Sequence, residues 1–195
     1  LSLLVVLASC KKEDQEECNK GNVIDQTRGE CSETLSYNNQ FNQTTNQNTR
    51  TITANCIPVH NVGLFGNAQG ALNPNAISPQ NESYNITTTP VANSSFTPLL
   101  STNNNNGGPQ YSFGVLLNGV ELDPVAAEPY PHEGMMSPNV NWEWNLEALN
   151  VNLGLDCNNA HVQPTGKYHY HGVPKLYLES LNIQSNQMTL IGYAA

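Results

Sequence analysis

Apolar and polar positions alternate over short stretches of this chain, and where the pattern is regular its period is two. Thr51-Ile52-Thr53 is a β-favouring start, and Tyr84 to Thr89 (Y-N-I-T-T-T) alternates until Pro90 closes it. Tyr111 to Leu117, then Asn118-Gly119, then Val120 to Leu122 has the pattern of a hairpin with a type I′ turn. Tyr168 to His171 alternates tyrosine with histidine and predicts another strand. Trp142 to Leu149 (W-E-W-N-L-E-A-L) is the best helix candidate, at one or two turns. These elements predict a mainly β fold, a loop-rich β-sandwich or irregular β domain with one or two short helices.

The start of the chain follows a different pattern. Leu1 to Leu7 is apolar apart from Ser2, and Ala8-Ser9-Cys10 then gives way abruptly to Lys11-Lys12-Glu13-Asp14. The run is too short to span a bilayer and resembles the end of a bacterial lipoprotein signal peptide with an L-A-S-C lipobox. That resemblance implies that Cys10 is the lipidated N-terminus of the mature protein and that the sequence as written begins inside its reading frame. Acyl chains would then hold the protein on a membrane without inserting it. A lysine followed by acidic residues just after Cys10 resembles the surface-export signal of Bacteroidetes-type lipoproteins. The expected location is the bacterial cell envelope, as a surface-exposed outer-membrane lipoprotein.

Glu13 to Glu17 is acidic and Asn38 to Arg50 is an Asn/Gln/Thr tract. Such segments lack the apolar surface to order themselves. The expected organisation is a signal remnant over 1–9, a lipidated cysteine and polar tether over 10–50, and a domain over 51–195.

Composition sharpens this. Charged residues make up only 12% and the chain holds 29 Asn, which favour turns and disfavour helix interiors, so helical bundles and coiled coils are set aside. Seven Lys+Arg face sixteen Asp+Glu, for a net charge of -9, and no Lys or Arg lies between Arg50 and Lys167. Nucleic-acid binding needs cations to neutralise phosphates and is excluded as a class. The acidic residues are read first as a solvated surface, and second as carboxylates held by metal cations or hydrogen bonds.

Five cysteines occur, at 10, 18, 31, 56 and 157. Lipidation of Cys10 leaves four, an even number in an oxidising compartment, with three possible pairings. The favoured one joins Cys18 to Cys31 locally and Cys56 to Cys157 across the domain. The absence of C-x-x-C argues against a thiolate zinc site or a thioredoxin-type site.

The most informative stretch runs from Gly154 to Pro174, G-L-D-C-N-N-A-H-V-Q-P-T-G-K-Y-H-Y-H-G-V-P. Its Y-H-Y-H, with the upstream G-L-D-x-N-N-A-H-V-Q-P-x-G, resembles the YHYH-domain family of bacterial secreted proteins and lipoproteins. Phe113 to Pro124, followed by Ala127-Glu128, is similar to the family's F-G-V-x-x-N-G-V-x-x-D-P-x-x-A-E segment, and Ala54 to His60 to its S-N-G-I-P-x-H segment. Ile191 to Ala195 resembles the opening of a further family block, which implies that the sequence is cut short at its C-terminus as well. The likeness covers about residues 50 to 195 and implies a domain type without a reaction. Cys56 stands where the family usually has glycine, and Cys157 stands in a variable position. Two unusual cysteines in two matching blocks imply that they pair, which would bring His60 toward His161.

In a strand, side chains alternate between faces, so His169 and His171 share one face and Tyr168 and Tyr170 the other. Pro164-Thr165-Gly166 fits a three-residue hairpin loop, which pairs Gln163 with Lys167 and sets His161 opposite His169. A loop one residue longer or shorter would turn His161 away. Three imidazoles on one face suit Zn, Cu or Fe with a coordination position left open. Asp156 and His60 are further candidate ligands. Asp123 and Glu128 are candidates for orienting an imidazole, with Tyr168 and Tyr170 nearby. His132, in P-H-E-G, is expected in an exposed loop.

The resulting expectation is a cell-envelope lipoprotein whose domain binds a transition metal, Cu or Zn, through His161, His169 and His171. Whether the metal hydrolyses a substrate, runs redox chemistry or is only carried stays open at this point. The alternative is a surface binding or adhesion module that meets glycan or protein through its Tyr, His and Trp side chains. No nucleophile elbow, P-loop or dinucleotide fingerprint occurs to support other enzyme classes.

Overall fold

Threonine and aromatic residues suit a pleated, half-buried surface, and they build most of the strands. The computed structural model describes residues 25–96, 113–123, 129–130, 141–145, 147–184 and 186–194, with the backbone alone for 129–130 and 141–145. In chain order the strands are β1 (Phe41–Asn46), β2 (Thr49–Ala54), β3 (Glu82–Thr87), β4 (Gly114–Leu116), β5 (Glu121–Leu122), β6 (Pro129–Tyr130), β7 (Asn141–Asn145), β8 (Ala160–Val162), β9 (Tyr168–Tyr170) and β10 (Gly192–Ala194). A short helix, α1 (Lys175–Ser180), follows β9. One sheet has the order β1-β2-β3, a second the order β10-β4-β5-β9-β8, and β6 pairs with β7. The fold is mainly β, as expected.

The five-stranded sheet has two different faces. Tyr168, Tyr170, Val162, Val120 and Leu116 lie in a buried apolar cluster with Ile57, Val62, Ile77 and Tyr177 of α1. Burying each of these large side chains contributes about 1.5–3 kcal/mol. The opposite face carries Glu121, Lys167 and the histidines. Lys167 reaches Glu121 at 2.6 Å and Glu82 of β3 at 3.2 Å, and the Tyr84 hydroxyl donates to Glu121 at 2.8 Å, so charged groups tie the two sheets together.

Several expectations are corrected. Residues 142–145 lie in a strand and not in a helix, because tryptophans two apart follow the strand period and β7 pairs with β6. The turn after β4 is not type I′. Only Gly119 has positive φ (77°), and the Gly119 amide donates to the Leu116 carbonyl at 2.8 Å, so Leu117-Asn118-Gly119 is a three-residue loop between Leu116 and Val120. A Cβ on Gly119 would lie 2.5 Å from that of Ala54, so the position requires glycine on both counts.

Residues before 51 also pair with the described fold. β1 pairs along its whole length with β2, through backbone bonds that need no apolar side chains. Upstream, Gly29 bridges Asp156 and Glu33 bridges Val62. Only the part of the expected tether before residue 25 lies outside the described residues.

The disulfide pairing is corrected as well. Cys31 is bonded to Cys157, with a Cα–Cα distance of 5.6 Å, and Cys56 is a free, buried thiol. Cys157 faces the N-terminal segment, while Cys56 points into the interior with its sulfur 3.9 Å from the Tyr84 hydroxyl. Burial is the main reason its pKa is pushed up to about 11. Residue 56 has φ of 57°, a conformation glycine adopts without cost, which gives a backbone reason for glycine there and leaves the cysteine without a covalent partner. Cys18 and Cys10 lie outside the described residues.

Asp156 joins these parts. Its carboxylate accepts from the amides of Gly63 (3.0 Å), Asn158 (2.8 Å) and Ala160 (3.3 Å) and from the Tyr168 hydroxyl (2.8 Å). Burial raises its pKa, and these bonds act in the other direction by favouring the ion. Asp156→Asn would set an amide donor against donors that now meet an acceptor. We expect the loss of about 2–4 kcal/mol of folding stability, read as the shift in a urea unfolding midpoint; an unchanged midpoint would refute this role.

Candidate metal centre

The centre is built by one hairpin and one loop. Gly166, at φ 86°, closes the Pro164–Gly166 loop: its amide donates to Gln163 at 2.8 Å and the Gln163 amide to Lys167 at 3.0 Å. His161 therefore pairs with His169, as expected from the loop length. His171 lies just beyond β9, and its amide donates to the Asn159 carbonyl at 2.7 Å, which keeps it in line with the strand. The alternation of β9 then holds both its histidines on the face opposite the tyrosines.

The three rings converge through one type of atom. His169 Nε2 lies 3.0 Å from His171 Nε2, which lies 3.2 Å from His161 Nε2. Ring centroids are 4.8 to 4.9 Å apart in all three pairs. The other nitrogens point outward to acceptors. His161 Nδ1 meets the Leu153 carbonyl at 2.9 Å and His171 Nδ1 meets Glu147 Oε1 at 3.0 Å, while His169 Nδ1 lies 3.5 Å from the Lys167 carbonyl. A carbonyl only accepts, so the Leu153 contact is met by the Nδ1–H tautomer of His161, and the Glu147 carboxylate is met by the same tautomer of His171. His169 and His171 are buried and His161 half-buried. Burial first, then the neighbouring imidazoles, holds His169 well below the usual histidine range, so it is neutral at physiological pH.

Lys167, two residues before His169, is paired with two carboxylates. Burial alone would lower the Lys167 pKa, but Glu121 and Glu82 outweigh it and keep the ammonium charged and paired. Among the described residues, His161, His169 and His171 are the group whose ligand atoms all lie within 4.8 Å of one another.

The other candidate ligands are elsewhere. His60 is on the tyrosine side: its Nδ1 donates to the Asn61 carbonyl at 2.7 Å and its Nε2 accepts from the Tyr170 hydroxyl at 2.7 Å. Its expected approach to His161 depended on a Cys56–Cys157 bond that does not form. Asp156 is occupied by Tyr168 and three amides on that same side. Tyr168 and Tyr170 do not orient the imidazoles, because strand alternation sends their hydroxyls to Asp156 and, with Asn118, to His60. The Asp123 amide donates to the Tyr170 carbonyl at 2.8 Å, but its carboxylate is not in the ligand group. Glu128 and His132 lie outside the described residues, and of Trp142 and Trp144 only the backbone is described.

The orienting carboxylate is Glu147, which was not singled out from the sequence. It is 24 residues from His171, in a stretch read as a helix, and nothing local distinguishes it from Glu143. The Leu153 carbonyl is a backbone group with no side-chain signature at all.

A mainly β domain with a histidine triad, two of its rings buried, on a Y-H-Y-H hairpin is thus the class of protein defined here. The chain belongs to the YHYH protein family, whose profile matches residues 83–195. No curated protein and no solved structure matches the chain.

The hydrogen-bond pattern fixes tautomers that can be read directly. In a long-range ¹H–¹⁵N spectrum of metal-free protein, His161 and His60 should carry a proton on Nδ1. An Nε2–H form at His161 would contradict the arrangement.

Proposed function

We propose that this chain is the metal-binding domain of a bacterial cell-envelope lipoprotein, holding one Zn or Cu ion through Nε2 of His161, His169 and His171. The observation that carries the reading is the convergence of three Nε2 atoms whose Nδ1 partners all face acceptors. A cation placed among three such nitrogens can bond to each of them. Imidazole nitrogens bound at about 2.0–2.1 Å around a tetrahedral ion lie about 3.3 Å apart; two of the three pairs here are separated by 3.0 and 3.2 Å, and all three ligand atoms lie within 4.8 Å of one another. Three neutral ligands leave the ion its full charge and a free coordination position, and a metal in that state acidifies bound water or binds a substrate oxygen. Glu147 supports the site by accepting from His171 Nδ1, which fixes the orientation of the ring. Lipidation at Cys10 would put the site at the outer face of a membrane, where it meets metal from outside the cell. A glycan- or protein-adhesion module without metal would leave the convergence of the three rings unaccounted for.

Elemental analysis of the purified full chain after reconstitution with Zn or Cu should find about one ion per chain, and His169→Ala/His171→Ala protein treated identically should hold none. Equal metal in both proteins, or none in either, would remove the reading. Glu147→Gln should keep the stoichiometry but weaken affinity about 10–100-fold in a chelator competition. Affinity equal to that of the wild type would mean that Glu147 is only a neighbour.

A further inference from the structure

Two of the three imidazoles are oriented by one irregular segment. Residues 147–159 supply Glu147 to His171 Nδ1, the Leu153 carbonyl to His161 Nδ1 and the Asn159 carbonyl to the His171 amide. This segment is braced by the strap formed by residues 25–31. The Asp25 amide donates to the Asn150 carbonyl at 3.0 Å and the Gly29 amide to the Leu155 carbonyl at 2.9 Å. Between them, Arg28 donates through Nε to Asn159 Oδ1 at 2.7 Å and through Nη2 to the Leu149 carbonyl at 2.9 Å. One guanidinium thus joins the two ends of the segment that carries the imidazole acceptors. The strap is fastened covalently at Cys31–Cys157, across 126 residues, and both cysteines are half-buried.

We propose that the Cys31–Cys157 disulfide and Arg28 set the affinity of the histidine site, which makes metal retention sensitive to thiol reductants. The proposal rests on the metal-binding reading above. A dithiol reductant attacks one sulfur through its thiolate, the S–S bond breaks, and the mixed disulfide is resolved by the second thiol. Cys31 and Cys157 gain two electrons and two protons as thiols, and the reductant leaves as its own disulfide. The strap is then held by hydrogen bonds alone. The 147–159 segment gains freedom, and the imidazoles lose the fixed acceptors that aim Nε2 at a common point. Arg28 is a positioning residue, since it touches the segment and not the ligands.

The test is zinc affinity of the full chain, by competition with a chromophoric chelator. His169→Ala/His171→Ala protein provides the background from other thiols. Cys31→Ser/Cys157→Ser mimics the reduced state without adding metal-binding thiolates, and should bind about tenfold more weakly or worse. Arg28→Ala, with the disulfide intact, should also weaken binding, and Arg28→Lys should recover only part of the loss, because a lysine cannot span both acceptors. Ile52→Val, a buried change in β2 outside the strap and the 147–159 segment, controls for general destabilisation and should bind as wild type. Should the double serine variant not fold, Arg28→Ala decides. Wild-type affinity in the Arg28→Ala and double serine proteins would overturn the proposal while leaving the metal reading intact. An equal loss in Ile52→Val would overturn it too, by making the effect one of stability. Zinc binding by wild type no stronger than the background would instead sink the metal reading itself.

Discussion

The pairing of His161 with His169 across a three-residue loop is the constraint on which the rest of the centre depends. Pro164 and Gly166 set the loop, the loop sets the register, and the register decides which side chains share a face. In β9 that choice sorts tyrosines from histidines. Tyr168 and Tyr170 enter the apolar core, where their hydroxyls find Asp156, Asn118 and His60. The same backbone then has to present His169 and His171 on the other side. A shift of one residue would bury imidazoles among aliphatic side chains and expose two large aromatic rings, so core packing and site geometry enforce the same register.

The electrostatics follow from burial. Burial and the neighbouring imidazoles hold His169 in its neutral form, with its Nε2 facing that of His171. A protein interior ordinarily satisfies buried polar atoms with donors. Lys167 is directed to Glu121 and Glu82. The three histidines form a group that could hold a metal ion. The tyrosine face shows the contrasting case: Asp156 and His60 are also buried and titratable, but each is matched by protein donors or acceptors and has no need of an ion.

The sequence made the hairpin legible because its information is local. Period-two alternation, a Pro-x-Gly loop and three histidines in eleven residues are enough to place the triad. It misled wherever a side chain's partner is distant or is backbone. Cys56 and Cys157 looked paired because both were unusual, yet residue 56 is shaped by a left-handed backbone and Cys157 finds its partner in a segment read as tether. That segment lacks apolar content but is held by ladder bonds and Arg28, which leave no mark on hydropathy. Asp156 looked like a ligand because it is near His161 in sequence, and Glu147 did not because it is far from His171. Trp142 to Leu149 read as a helix, although its tryptophans two apart fit the strand period better. Mainly β architecture survived these errors because it rests on many short alternations and not on any one of them.

The central claim is that three imidazoles bind one ion at a single point. X-ray absorption of the zinc-loaded protein tests it most directly. The account predicts a first shell of nitrogen and oxygen at about 2.0–2.1 Å, with the multiple scattering of three imidazole rings and no sulfur. A shell containing sulfur at about 2.3 Å, or one without imidazole scattering, would contradict it.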